Sequence, residues 1–144
     1  MTSLVSVLAG SKSDEAQVKK VIETLSGLGV EHDQAYLSCH RNPTELDKYI
    51  QNSKADVFIA IAGLSASLPG YIAARTVKPV IGVPVEKALG GLDSLLSIVQ
   101  MPKGIPVACV AINGAENAAY LSARIISLKD EKIKKESQEV RLNG

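Results

Sequence analysis

Val57-Phe58-Ile59-Ala60-Ile61-Ala62 is an unbroken aliphatic and aromatic run that ends at Gly63. A strand with one wet face alternates apolar and polar residues, so a run that is apolar on both faces belongs at the centre of a covered sheet. Leu4 to Ala9, Val80 to Val85 and Val107 to Ile112 repeat the pattern, and Glu31 to Leu37 reads as a further strand. Helical periods fall between them. Glu15 to Leu28 puts Val18, Val21, Ile22 and Leu25 on one face, with Ser13 as its natural N-cap and Gly27 and Gly29 at its end. Asn42-Pro43 opens a second helix that reaches Asn52. Leu68-Pro69 opens a short one to Arg75, and Asp93 to Val99 and Ala115 to Leu128 supply two more.

Strand followed by helix, five times over, predicts a three-layer, doubly wound α/β fold with a flavodoxin/Rossmann-like parallel sheet and right-handed crossovers. Residues 1–130 form one α/β domain in this reading. Residues 131–144, charged and poor in apolar side chains, form a C-terminal helical arm or tail, either solvated or docked on a partner. Composition agrees with a covered sheet: 46% of the 144 residues are hydrophobic but only 3% aromatic, so the core is built of Val, Ile, Leu and Ala.

A net charge of +1 gives no global attraction to nucleic acid or an anionic membrane. No run of about 18 apolar residues offers a membrane span, and the N-terminus has no basic region or cleavage site of a secretory signal. Two cysteines, Cys39 and Cys109, are too few for a disulfide framework. The expectation is a cytoplasmic, reduced setting. Two histidines and two cysteines spread along the chain lack the spacing of a metal site, so no metal is expected.

In doubly wound sheets ligands bind outside the C-terminal strand ends, where the strand order switches. That rule gathers three loops. Gly10-Ser11-Lys12-Ser13-Asp14 sets two hydroxyls and several backbone N–H groups at a helix start, an arrangement that suits a phosphomonoester and serves equally as plain capping. It is neither a Walker loop nor a GxGxxG fingerprint, so ATP and dinucleotides are not indicated. Asp14 is a good acceptor for ribose hydroxyls. Ser38-Cys39-His40-Arg41 pairs an imidazole able to move a proton near neutral pH with a guanidinium able to clamp phosphate; a loop His and a surface Arg remain the plain alternative. Cys39 and His40 are neighbours on an extended segment and point apart, which disfavours a Cys/His dyad. His32, among polar residues at a strand start, reads as surface. Gly63-Leu64-Ser65-Ala66-Ser67 offers close backbone approach for a flat polar heterocycle, or is only a Gly/Ser turn.

Five blocks in order then resemble the PurE family of purine biosynthesis, from about Leu4 to Asp130. They are Gly10-Ser11-Lys12-Ser13-Asp14, Ser38-Cys39-His40-Arg41-Asn42-Pro43, Leu68-Pro69-Gly70, Val80-Ile81-Gly82-Val83-Pro84-Val85, and Gly91 through the run Asp93-Ser94-Leu95-Leu96-Ser97-Ile98-Val99-Gln100-Met101-Pro102. The resemblance implies de novo purine biosynthesis on a small ribonucleotide. One class moves the carboxylate of N5-carboxyaminoimidazole ribonucleotide from N5 to C4 through trapped carbon dioxide; the other carboxylates aminoimidazole ribonucleotide directly with carbon dioxide. It also implies a homo-octamer and no cofactor. His40 becomes the acid/base catalyst. Ser11, Ser13 and Arg41 hold the phosphate end, Asp14 the ribose, and Ser38, Cys39, Gly63, Ser65, Ser67 and Leu68 complete the substrate site. The loops Gly63 to Leu68 and Ala88 to Leu92 close over it.

The match has departures. The transfer class resembles Gly-Gly-Ala-Ala-His-Leu-Pro-Gly where this chain reads Gly63-Leu64-Ser65-Ala66-Ser67-Leu68-Pro69-Gly70, so Ser67 takes the place of a second histidine. Ser65 leans toward the direct carboxylases. Those enzymes, however, resemble Lys where this chain has Arg41, and they lack its Val-Pro-Val and Ile-Val-Gln-Met-Pro forms. A nucleotide-binding paralogue without turnover is a third possibility that the missing imidazole leaves open. Cys39 stands where the family pattern carries Ala.

Overall fold

The structure, a computed structural model, describes residues 4–143. Five strands, β1 (Leu4–Ala9), β2 (Glu31–Tyr36), β3 (Val57–Gly63), β4 (Val80–Val85) and β5 (Ala108–Cys109), form one sheet in the order β2-β1-β3-β4-β5. Every neighbouring pair is parallel. Helices α1 (Glu15–Gly27), α2 (Pro43–Asn52), α3 (Leu68–Ala73), α4 (Leu92–Val99), α5 (Ala115–Ile126) and α6 (Glu131–Asn143) cover it.

The period-two geometry of the strands sorts the core into two layers. Val5, Val7 and Ala9 of β1, with Val57, Ile59 and Ile61 of β3, pack against α1, α5 and Ile133 of α6. Leu8, Phe58, Ala60 and Ala62 point the other way, against Leu46 and Ile50 of α2, Ile72 of α3 and Ile98 of α4. β3 is buried along its whole apolar run, as its sequence requires of a central strand. On the second face Gly82 lets helices reach the sheet. A Cβ there would sit 2.5 Å from Ile98 Cγ2 and 3.2 Å from Pro69 Cγ.

Two local readings need correction. The aliphatic run from Val107 to Ile112 forms only a two-residue ladder, β5. Gly82 and Pro84 both turn their backbone toward this segment: Val110 N–H donates to Gly82 O (3.2 Å) and Asn113 N–H to Pro84 O (2.8 Å). In a parallel strand N–H and C=O of a residue face the same neighbour, and Pro84 has no N–H to return, so the ladder stops. Ser13 does not cap α1. A 3-10 turn over Lys12–Asp14 intervenes, Ser11 Oγ accepts from Ser13 N–H (3.2 Å), and Asp14 holds the N-cap position of α1. The extra turn leaves the Ser13 hydroxyl free to face outward from the strand end.

The order 2-1-3 reverses direction at β1 and β3. The loops that leave the C-terminal ends of these two strands diverge to opposite faces and open a crevice between them.

Candidate active site

A cavity of ≈ 460 Å³ fills that crevice. Its lining comes from Gly10, Ser11, Ser13 and Asp14 after β1, Ser38–Arg41 after β2, Ala62–Leu68 at the end of β3, and Lys87 after β4. All the expected site residues meet here: Ser11, Ser13, Asp14, Ser38, Cys39, His40, Arg41, Gly63, Ser65, Ser67 and Leu68. His32 lies elsewhere, its Nδ1 2.8 Å from Val30 O.

The loop after β2 is held from inside. Ser38 is buried, and its Oγ accepts from the backbone N–H groups of His40 (3.2 Å) and Arg41 (3.1 Å). Asn42, at the N-cap of α2, turns its side chain back instead of capping the helix: Oδ1 accepts from Ser38 N–H at 3.3 Å. A short polar side chain bonding locally to backbone is what turns favour at a helix start. The result fixes the backbone that carries His40 and Arg41 while both side chains stay exposed to the cavity mouth. No hydrogen bond from a described residue engages the His40 imidazole, which can therefore give or take a proton from a ligand. Arg41 Nη2 reaches toward Gly10 O at 3.5 Å, a weak contact that a phosphate oxygen would readily replace.

Cys39, between Ser38 and His40 in the chain, is half-buried. Burial pushes its thiol up, outweighing its own backbone hydrogen bond and the Arg75 charge. A thiol held protonated is a poor nucleophile at neutral pH, and among the described residues no hydrogen bond joins Cys39 Sγ to the His40 ring.

The opposite wall is different in kind. Leu64 adopts a left-handed conformation (φ 57°) although it is not glycine. Such backbone costs on the order of 1 kcal/mol and concentrates at functional loops. It bends the chain so that Ser65 and Ser67 face the cavity, with Ser67 Oγ donating to Ser65 O at 3.2 Å. No residue from Gly63 to Leu68 carries a charge.

α2 and α3, which begin at these two walls, are tied together. Asp47 of α2 accepts from the Tyr71 hydroxyl (2.8 Å) and from Arg75 Nε, and Arg75 lies over the Tyr71 ring, 3.4 Å from its centroid. The Tyr71 hydroxyl, and then the Arg75 guanidinium, hold the Asp47 carboxyl below its ordinary value.

Lys87 escaped the sequence reading. Its Nζ donates to Ser13 Oγ (2.9 Å) and lies 2.9 Å from Asp14 Oδ1. The second contact is a charge pair without hydrogen-bond alignment, since Oδ1 of this buried carboxylate accepts no hydrogen bond. The signal was present: Lys87 stands two residues beyond the C-terminal end of β4, on the same edge of the sheet as the three loops that the switch-point rule gathered. Among the described residues no group of three or more His, Cys, Asp or Glu could hold a metal.

A sequence model of the family described as AIR carboxylase matches residues 4–143. The chain belongs to that family. Among curated proteins, one named N5-carboxyaminoimidazole ribonucleotide mutase from Methanocaldococcus jannaschii is 51% identical over 138 residues, covering 96% of this chain and 88% of its own. Another of that name from Bacillus subtilis is 45% identical, covering 99% of this chain and 92% of its own. Among solved structures, Treponema denticola PurE superposes with a TM-score of 0.90 at 29% identity, covering 98% of this chain and 90% of that one. The family's fold is thus this one: a five-stranded parallel α/β sheet with flanking helices.

Proposed function

We propose that the protein is an enzyme of purine biosynthesis that converts N5-carboxyaminoimidazole ribonucleotide to its 4-carboxy isomer. The observation that carries this reading is the cavity at the switch point. It joins one unengaged imidazole to an anion-binding loop, in a chain whose relatives named for this mutase are 45–51% identical. Its volume of ≈ 460 Å³ suits a mononucleotide, falling within the ~300–1,000 Å³ of small-molecule sites.

In this proposal the phosphate lies against Ser11, Ser13 and Arg41, which supply hydroxyl, backbone N–H and guanidinium donors. Asp14 accepts from the ribose hydroxyls. The imidazole ring of the nucleotide lies along Gly63, Ser65, Ser67 and Leu68, with Ser38 and Cys39 beneath His40. Protonated His40 gives its proton to N5 as the N5–carboxylate bond breaks and carbon dioxide is released. C4 then attacks the trapped carbon dioxide, forming the new C–C bond, and neutral His40 takes the C4 proton as the ring regains aromaticity. The proton returns to where it began, so the step is a net isomerisation and needs no cofactor. Closure of the Gly63 to Leu68 and Ala88 to Leu92 loops would keep the gas beside C4.

Direct carboxylation of aminoimidazole ribonucleotide is a second reading, and Ser65 and Ser67 favour it, because the neutral wall offers no second imidazole. The same assay decides between them. The enzyme is given either the N5-carboxylated nucleotide or aminoimidazole ribonucleotide with bicarbonate, and the C4 product is followed. Faster turnover of the first substrate supports the mutase; turnover of the second alone supports the carboxylase; product from neither leaves a binding protein.

A cytoplasmic homo-octamer belongs to the same proposal. Among the described residues no helix is long and apolar enough to cross a membrane. Leu92, Leu96 and Val99 form an exposed apolar row on α4, 46–53% exposed, that a neighbouring subunit would cover. A monomeric mass by light scattering at micromolar concentration would exclude the assembly.

A further inference from the structure

Asp14 raises an electrostatic problem. The cavity that is to receive a phosphomonoester holds a carboxylate that is 5% exposed, at the very loop that would bind the anion. A buried carboxylate beside a dianionic ligand repels it unless a cation stands between them. Arg41 touches Gly10 O rather than Asp14. The cation that meets Asp14 is Lys87, at 2.9 Å from Oδ1, and the same Nζ donates to Ser13 Oγ.

The second contact matters as much as the first. An ammonium group can only donate, so Ser13 Oγ is the acceptor, and its own O–H is left to point elsewhere. With Lys87 donating to Ser13 Oγ, the hydroxyl proton is left for an acceptor such as a ligand oxygen in the cavity. The rest of the lysine is fixed as well. Its methylene stem passes over Gly63, where a Cβ would lie 2.9 Å from Lys87 Cδ, so the absence of a side chain at the end of β3 is what lets the stem cross the cavity floor.

We infer that Lys87 is a positioning residue of the anion subsite: it cancels the charge of Asp14 and turns the Ser13 hydroxyl toward a phosphomonoester. The inference rests on the nucleotide-binding reading above, yet it concerns only the phosphate end, so it can be tested apart from turnover. The probe is ribose 5-phosphate, titrated by calorimetry into the full-length protein, with the 4-carboxy nucleotide as a second ligand.

Lys87→Met keeps the stem over Gly63 and removes the charge; Lys87→Gln is a second neutral variant; Lys87→Arg keeps the charge. Either neutral variant should bind both phosphorylated ligands about tenfold or more weakly, and the arginine variant should stay within about threefold of the parent. In the Asp14→Asn background, where no carboxylate needs cancelling, the loss on Lys87→Met should shrink by about half or more on the logarithmic scale. Parental affinity in Lys87→Met or Lys87→Gln would overturn the inference, as would an arginine variant as weak as the neutral ones, or an undiminished loss in the Asp14→Asn background. If the parent binds ribose 5-phosphate but converts neither purine precursor, the proposed reaction falls while the role of Lys87 is still decided by the same titrations.

Discussion

The two walls of the cavity are built from the same fold by opposite means. The wall that follows β1 and β2 is charged: Asp14, His40 and Arg41, joined from β4 by Lys87. The wall that follows β3 is neutral: a turn of Gly63 to Ser67, bent by a left-handed Leu64. The backbone that carries His40 and Arg41 is braced by Ser38 and Asn42, so in the proposed reaction the segment bearing them is set before the ligand arrives. A wall without charge would offer a heterocycle main-chain donors and acceptors in the proposed reaction. The tie from Asp47 to Tyr71 and Arg75 holds the helices behind both walls at one separation. If this division is right, substitutions on the charged wall should cost far more than those on the neutral one.

The largest effect is expected at His40. His40→Asn keeps the local backbone and removes the only imidazole that lines the cavity, so kcat should fall by about 10²–10⁴-fold while nucleotide affinity stays within about tenfold. A variant with near-normal turnover would take proton transfer away from the charged wall. Next comes Arg41→Ala, which should weaken binding of phosphorylated ligands by about 2 kcal/mol, close to 30-fold, measured by calorimetry. Unchanged affinity would remove Arg41 from the phosphate end.

Ser38→Ala asks whether bracing matters. It leaves the N–H groups of His40 and Arg41 without their shared acceptor, the buried Ser38 hydroxyl, at about 1–3 kcal/mol of stability. Denaturant unfolding should show that loss. The same truncation at exposed Ser67, whose hydroxyl makes one hydrogen bond, to Ser65 O, should cost less than about 0.5 kcal/mol. Equal losses at the two serines would erase the contrast between a braced wall and a merely shaped one.

Much of this was legible in the chain. Period-two and aliphatic runs placed β1, β3 and β4, because a strand covered on both faces has no choice but to be apolar throughout. The switch-point rule then gathered the three loops without any contact being known. Most of what escaped depends on partners distant in sequence. The truncation of β5 is decided by Pro84 on the neighbouring strand. The release of Ser13 from capping follows from a 3-10 turn that propensity does not announce. Lys87 meets Ser13, 74 residues away, so only its place just past β4, and no motif around it, marks it. The bond from Asp47 to Tyr71 is of the same kind.

The smallest expected effect is also the sharpest test of the neutral wall. Ser67 is exposed at the start of α3, where an imidazole can be accommodated without disturbing the buried Leu68 and Pro69 beneath it. Ser67→His therefore restores the histidine of the resembling pattern with little change in unfolding free energy. A second imidazole facing His40's wall gives the proton an additional carrier, and turnover of the N5-carboxylated nucleotide should rise, by about threefold. A rise confined to that substrate would mean that the neutral wall takes part in proton movement when it is given the means. No rise, with folding and nucleotide affinity intact, would confine the chemistry to His40 and leave the Gly63 to Ser67 turn the single task of shaping the cavity.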